Sequence, residues 1–227
     1  MNKYLCLVFV TLISIGSTQA QKKETRDVDD FTGIAFGVAG KLYLTQGNSY
    51  KVVLEGDEDY LEDIETFVRG DRLIIRHSRW MSFGNKKINA YITMPEIEDL
   101  AVSGSGKMTA DSDIEADDLD MSVSGSGDIN IDKLTAESVD CRISGSGSIN
   151  LNGSAENGDI SISGSGDFTG ESFDMETLDI SISGSGTCRV KVNESLEARV
   201  SGSGDIYYDG NPRVDARVSG SGKVRKR

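Results

Sequence analysis

The sequence predicts an all-β protein, a right-handed parallel β-helix of about 18–21 residues per rung with an N-terminal β-rich cap carrying one short helix. Three observations carry this reading. Ser-Gly-Ser-Gly occurs seven times, beginning at Ser103, Ser124, Ser144, Ser163, Ser183, Ser201 and Ser219, at intervals of 21, 20, 19, 20, 18 and 18 residues. Alternating apolar residues flank the copies, and a third apolar cluster falls between them. Fourteen of the 26 glycines lie in these tetrapeptides, so the glycine content marks one recurring structural position and not flexible linkers.

Residues 1–20 have the pattern of a secretory signal peptide. Lys3 supplies the basic start, Leu5 to Ile15 the apolar run, and Thr18-Gln19-Ala20 a small-residue cleavage site, so the mature chain is expected to begin at Gln21. The run is about 11 residues, against the roughly 20 that span a bilayer as a helix, and no later stretch is apolar enough to span. Cys6 lies inside the run without a lipobox, which argues against lipid anchoring. The expected location is therefore the periplasm, the outer-membrane surface or the extracellular medium. The formal charge of −13 becomes −14 once Lys3 leaves with the signal. Such an acidic chain is a poor nucleic-acid binder, because phosphates need a cationic face.

Residues 21–100 lack the tetrapeptide but keep the β pattern, and they are expected to form a cap or irregular first rungs. Candidate strands are Ile34 to Val38, Leu42 to Leu44, Tyr50 to Leu54, Leu73 to Arg76 and Ile88 to Met94, with turn signals at Gln46-Gly47-Asn48 and Gly70-Asp71. Leu61, Ile64, Phe67 and Val68 recur at helical spacing and predict the short helix.

Residues 101–227 are the repeat. Met121-Ser122-Val123 and Ile160-Ser161-Ile162 typify the alternation before a motif, and Ile129-Asn130-Ile131 the alternation after it; Leu119, Leu134, Val139, Leu178 and Leu196 mark the third cluster. Period-two alternation means half-buried strands, and three of them per period make a rung. Rungs stack about 4.8 Å apart, so each position recurs as a column along the axis. The first glycine of each motif, Gly104, Gly125, Gly145, Gly164, Gly184, Gly202 and Gly220, is expected at a sharp corner where a β-carbon would clash in every rung. Continued alternation through the motif would turn the serines outward; a corner could instead turn them in. Cys141 and Cys188, about two rungs apart and at different points of the period, are expected to be buried core fillers and not a disulfide.

The residue after the motif reads Lys107, Asp128, Ser148, Asp167, Thr187, Asp205 and Lys223. Hydroxyl residues separate the carboxylates, as stacking requires, and aspartates two rungs apart stand about 10 Å from one another, too far to share an ion. A calcium β-roll does not fit either, since only three copies carry Asp here. No cofactor or metal is implied.

The segment from Arg72 to Lys87 is the most distinctive chemistry. It holds Arg72, Arg76, Arg79, Lys86 and Lys87 with no acidic residue, and includes Trp80, Met81 and Phe83. Arg76, Arg79, Trp80, Phe83, Lys86 and Lys87 form a candidate contact for a glycan or a cell-envelope protein; the same residues also suit a solvated lid on the first rung. Catalysis finds little support. His77 is the only histidine and has no acidic neighbour in sequence; the alternative reading is a polysaccharide hydrolase or lyase using a carboxylate pair on the helix face, a pairing that 37 acidic residues make unspecific. Strand edges at the helix ends and the uneven charge leave self-association open.

Arg26 to Ile34, the Leu42-Tyr43-Leu44-Thr45-Gln46-Gly47 strand and turn, the Met94-Pro95 step and the Ser-Gly-Ser-Gly ladder together resemble the head GIN domain family, commonly labelled autotransporter adhesins and frequent in Bacteroidetes. The resemblance covers nearly the whole mature chain. It implies a β-helical fold and an exported, non-enzymatic binding or structural role, and carries no catalytic residues over. A C-terminal membrane barrel of the autotransporter kind is not expected in this sequence.

Overall fold

The computed structural model describes residues 21–78 and 86–227. Alternation in the repeat region becomes whole-rung strands: β11 (Asp128–Gly145), β12 (Ser148–Gly164), β13 (Asp167–Gly184) and β14 (Thr187–Gly202) each run from one Ser-Gly-Ser-Gly corner to the next. In β11, Ile129 and Ile131, then Leu134 and Ala136, then Val139, Cys141 and Ile143 point inward. The alternation breaks at Asp132-Lys133 and Glu137-Ser138, where two successive residues stay out of the core. Those breaks and the motif are the three corners of a β-solenoid rung.

All strand pairings in the repeat are parallel and place identical positions on top of one another. Val102, Val123, Ile143, Ile162, Ile182 and Val200 form one buried column, and the first serines of the motifs another. Both serines of every copy are exposed, so alternation does continue through the corner. Both cysteines are free and buried, and burial raises their thiols above the ordinary range.

The first rungs do not follow chain order. β2 (Gly33–Gly37) and β3 (Gly40–Gln46) make a rung that lies directly on the rung of β8 (Asp99–Gly104) and β9 (Lys107–Ala110). The intervening chain supplies β6 (Arg72–His77) and β7 (Ile88–Met94), which stack on the other side of β2 and β3. Beyond them the pairing turns antiparallel: β4 (Lys51–Gly56) on β7, β1 (Lys22–Arg26) on β4, and β5 (Ile64–Arg69) on β6. The edge strand β1 reads Lys-Lys-Glu-Thr-Arg, and such charges discourage further pairing.

The short helix is α1 (Glu58–Leu61), which buries Tyr60 and Leu61. Of the four residues whose spacing predicted it, only Leu61 is helical. Ile64, Phe67 and Val68 belong to β5, which turns at Gly70, φ 66°, into its antiparallel partner β6. An edge strand covered on one side has no strict alternation, so chance spacing read as a helix. No helix among the described residues is long and apolar enough to cross a membrane.

The corners show why the motif needs two glycines. Gly164 has φ 118°, and a β-carbon there would lie 2.5 Å from the Gly145 carbonyl oxygen of the rung before, which accepts a 2.8 Å bond from the Ser165 N–H. Gly166 is buried, and a β-carbon on it would lie 2.4 Å from Ile143 Cγ2. The first glycine supplies conformation and close approach; the second makes room for the aliphatic column beneath. Gly164→Val should therefore destabilise the fold by about 3 kcal/mol or more, while Ser165→Ala should stay within about 0.5 kcal/mol. Thermal unfolding of the two variants measures this, and equal midpoints would contradict the corner geometry.

Candidate functional site

The basic and aromatic segment falls at a corner of the rung made by β6 and β7. Register pairs Arg76 with Gly37 and Ile88 with Gly40, so the sequence between these paired positions is longer on this strand pair than Val38-Ala39 on the neighbouring rung. Arg79, Trp80 and Phe83 lie outside the described residues. The segment's root is fixed. Tyr60 Oη and His77 Nε2 are 3.0 Å apart, and Ser78 N–H donates to the Asp63 carbonyl at 2.9 Å.

The remaining predicted contacts are engaged within the cap, with carboxylates that are distant in sequence. Arg76 is 2.9 Å from Glu65 and sits over the Phe67 ring; Lys86 Nζ is 3.5 Å from Asp57. Exposed pairs of this kind contribute about 0–1 kcal/mol, so either cation can exchange its partner. Lys87 is exposed just before β7. Arg72, from the same segment, meets Asp99 at 2.5 Å.

The column after the motif forms in the expected register, with Ser148 Oγ donating to Asp128 at 2.7 Å. Two positions on, Asn150 Nδ2 donates to Asn130 Oδ1 at 2.8 Å, and Tyr43 stacks on Tyr91 with ring centroids 5.2 Å apart. The Tyr91 hydroxyl donates to Glu55, and Lys23 lies over its ring. These faces are occupied by neighbours in the ladder, which makes the pair a structural stack and not an open platform for a sugar.

Sequence reading missed a second column. Asp99, Asp120, Asp140, Asp159, Asp179, Glu197 and Asp215 stack one per rung without interruption. Its signal was present: the fourth residue before each of the seven motifs is acidic. Arginines relieve the ladder towards its ends. Arg142 is 2.5 Å from Asp140 and 3.7 Å from Asp120, Arg217 is 3.1 Å from Asp215, and Arg199 pairs with Glu197. At the equivalent place beside Asp159 and Asp179 stand Ser161 and Ser181. Burial raises the Asp140 carboxyl above its ordinary range, with Asp159 and Asp120 adding to the effect and Arg142 opposing it.

Beside this ladder lies a groove of about 990 Å³ along the corner of the early rungs. Its floor is low because Ala116, Ala136 and Ala155 occupy a column that continues as Met175 and Val192. Gln46 closes one end, its side chain bonding Glu115 through both N–H (2.7 Å) and carbonyl (2.8 Å), as a strand would. Nine carboxylates line the groove, among them Glu96, Glu115, Asp117, Asp118, Glu137 and Glu156, with no cationic or aromatic side chain. Among the described residues no group of three or more His, Cys, Asp or Glu is arranged to hold a metal ion.

Comparison with known proteins agrees with the β-solenoid fold. The family model described as "Putative auto-transporter adhesin, head GIN domain" matches residues 30–212. Among solved structures, a "putative adhesin" from Bacteroides fragilis is similar with a TM-score of 0.86 at 22% identity, covering 92% of this chain and 98% of that one. A "putative adhesin" from Parabacteroides distasonis gives 0.74 at 23% identity, with the same coverages. A "putative lipid binding protein" from the same organism gives 0.71 at 20%, covering 92% and 97%. At these identities the likeness is one of fold. No curated protein matches the sequence.

The carboxylate ladder has a thermodynamic consequence. A carboxyl whose folded pKa is raised binds its proton more readily in the native state, so its contribution to stability falls as pH rises through that window. Asp159→Asn removes one repelling charge next to Asp140 and should stabilise the protein at pH 7 by about 0.5–1 kcal/mol at low salt. The gain should shrink as pH falls, because the Asp140 carboxyl, raised by burial, then takes up its proton and no longer repels a charge at position 159. Thermal midpoints at pH 7 and at lower pH test this; a loss of stability at pH 7 would mean that Asp159 is held by a favourable partner.

Proposed function

The chain belongs to the head GIN domain family, and from that premise we propose that it is an exported, non-enzymatic adhesin-like module that binds a glycan or a cell-envelope protein through side chains displayed on a rigid solenoid. The observation carrying this reading is the enlarged corner. Ten residues of sequence, 78–87, connect β6 to β7 where two, Val38 and Ala39, connect β2 to β3, and Arg79, Trp80, Phe83, Lys86 and Lys87 are among them. A flat or concave partner can be met by such a segment without reshaping the stacked rungs behind it, because loops carry recognition while the scaffold stays rigid.

The chemistry of the groove supports binding over reaction. A glycosidase needs one protonated and one ionised carboxyl flanking the scissile bond, and sugar rings are held by aromatic faces. The groove is lined by nine carboxylates with Gln46, Thr135 and Ser138 and has no aromatic side chain among the described residues.

A glycan-array screen of residues 21–227, run beside Trp80→Ala, tests the proposal. Selective binding is expected for the parent and its loss for the variant, with the thermal midpoint changed by no more than about 0.5 kcal/mol equivalent. Undiminished binding by the variant would move the contact elsewhere, and a large loss of stability would identify Trp80 as a lid on the first rung.

A further inference from the structure

The outermost rung at the other side of the described solenoid differs from everything before it. It consists of β16 (Arg213–Gly220) and β17 (Lys223–Lys226). Six cations lie in residues 213–227, namely Arg213, Arg217, Lys223, Arg225, Lys226 and Arg227, against the single carboxylate Asp215, in a chain whose net charge is −13. Val214 and Val218 continue inward columns of the solenoid, yet they are 37% and 44% exposed. Arg213, Lys223 and Arg225 have no carboxylate partner among the described residues. The rung thus presents unpaired positive charge around uncovered apolar surface.

The complement stands on the same molecule. Glu96, Asp117, Asp118, Glu137 and Glu156 of the acidic groove also lack ion-pair partners among the described residues, and the groove is floored by Ala116 and Ala136 with Ile97 and Leu119 alongside. We propose that the protein self-associates head to flank, the basic outer rung of one copy seated in the acidic groove of the next. Valines meet the alanine floor while the cations meet the walls. Two outer rungs facing each other would juxtapose cations, and the opposite side is covered by β1 and β5, whose charges are mixed. Because rung and groove are different surfaces, the contact is heterologous and propagates from copy to copy. This inference is independent of the glycan reading, since neither surface includes residues 77–87.

Sedimentation velocity of the purified protein across a concentration series tests it. Association should grow with concentration, and should weaken at least about tenfold between about 20 mM and 500 mM NaCl, because screening shortens the reach of exposed charges. Arg213→Glu/Lys223→Glu/Arg225→Glu should be monomeric, and so should Asp117→Lys/Asp118→Lys/Glu137→Lys. An equimolar mixture should associate again, since each variant's altered surface complements the other's. Circular dichroism melting confirms that both variants are folded. Wild type that stays monomeric at low salt, or a mixture that fails to associate, overturns the proposal. So does a monomeric wild type that sediments with phosphatidylglycerol vesicles and loses this in the Arg213, Lys223 and Arg225 variant, which would identify an anionic lipid surface as the rung's partner.

Discussion

The structure depends on one repeated approach of backbone to backbone at the Ser-Gly-Ser-Gly corner. From Ser126 onward, the N–H of the motif's second serine bonds the carbonyl of the first glycine one rung back at 2.7–2.9 Å, as in Ser146 to Gly125 and Ser185 to Gly164. No β-carbon fits between rungs that close. With the corner fixed, the flanking residues have no freedom of register: a slip by one would turn Val123, Ile143 and Ile162 to solvent together. The motif therefore acts less as a flexible turn than as a clamp that aligns three sides of every rung. At the first copy a β-carbon on Gly104 would meet nothing within 4 Å, whereas one on Gly106 would lie 2.7 Å from Phe36 Cδ1, so the steric demand on the first glycine begins with the second copy and that on the second glycine with the first.

A clamp that forces identical positions into columns also forces like charges together. Two solutions appear. After the motif, aspartates alternate with Ser148 and Thr187, and the Ser148 hydroxyl donates to Asp128. Before the motif, acids stack without spacers and are relieved by arginines two residues along the same strand. The core uses the same kind of compensation in volume. Gly158 leaves a gap in the column of Val139 and Leu178, and a β-carbon there would come within 2.8 Å of Met175 Sδ and Leu178 Cδ1, which already fill the space.

Much of this was legible because two periods coincide in the sequence. Alternation by two fixes which residues of β11 to β14 face inward, and recurrence at about twenty residues fixes what they stack on. The stacking order of the first rungs was not legible, since nothing local in Arg72 to Met94 says that it inserts outside β2 and β3 before β8 is laid down. β1 was invisible for a related reason: a charged edge strand buries no face and leaves no alternation. The acidic ladder was readable once the copies are aligned at the residue four before each motif, but serines and glycines dominate the repeat and drew the eye. The groove could not be read at all, because it exists only through the contrast of Ala116, Ala136 and Ala155 with Met175 in the same column.

The division of labour between column and corner bears on function. A residue in a column repeats its chemistry about every 4.8 Å, so a change there is felt by two neighbours and tends to be constrained by stacking. A residue in an enlarged corner has no copy above or below it. At the end of β6, His77 and Ser78 are bonded to Tyr60 and Asp63 of the cap. The outer rung is constrained on one side only, where Ser195, Asp205 and Tyr207 lie directly behind Arg213, Lys223 and Arg225, so none of these cations stacks on a like charge. Chemistry that departs from the repeat is concentrated at these places, where the stacking physics permits it.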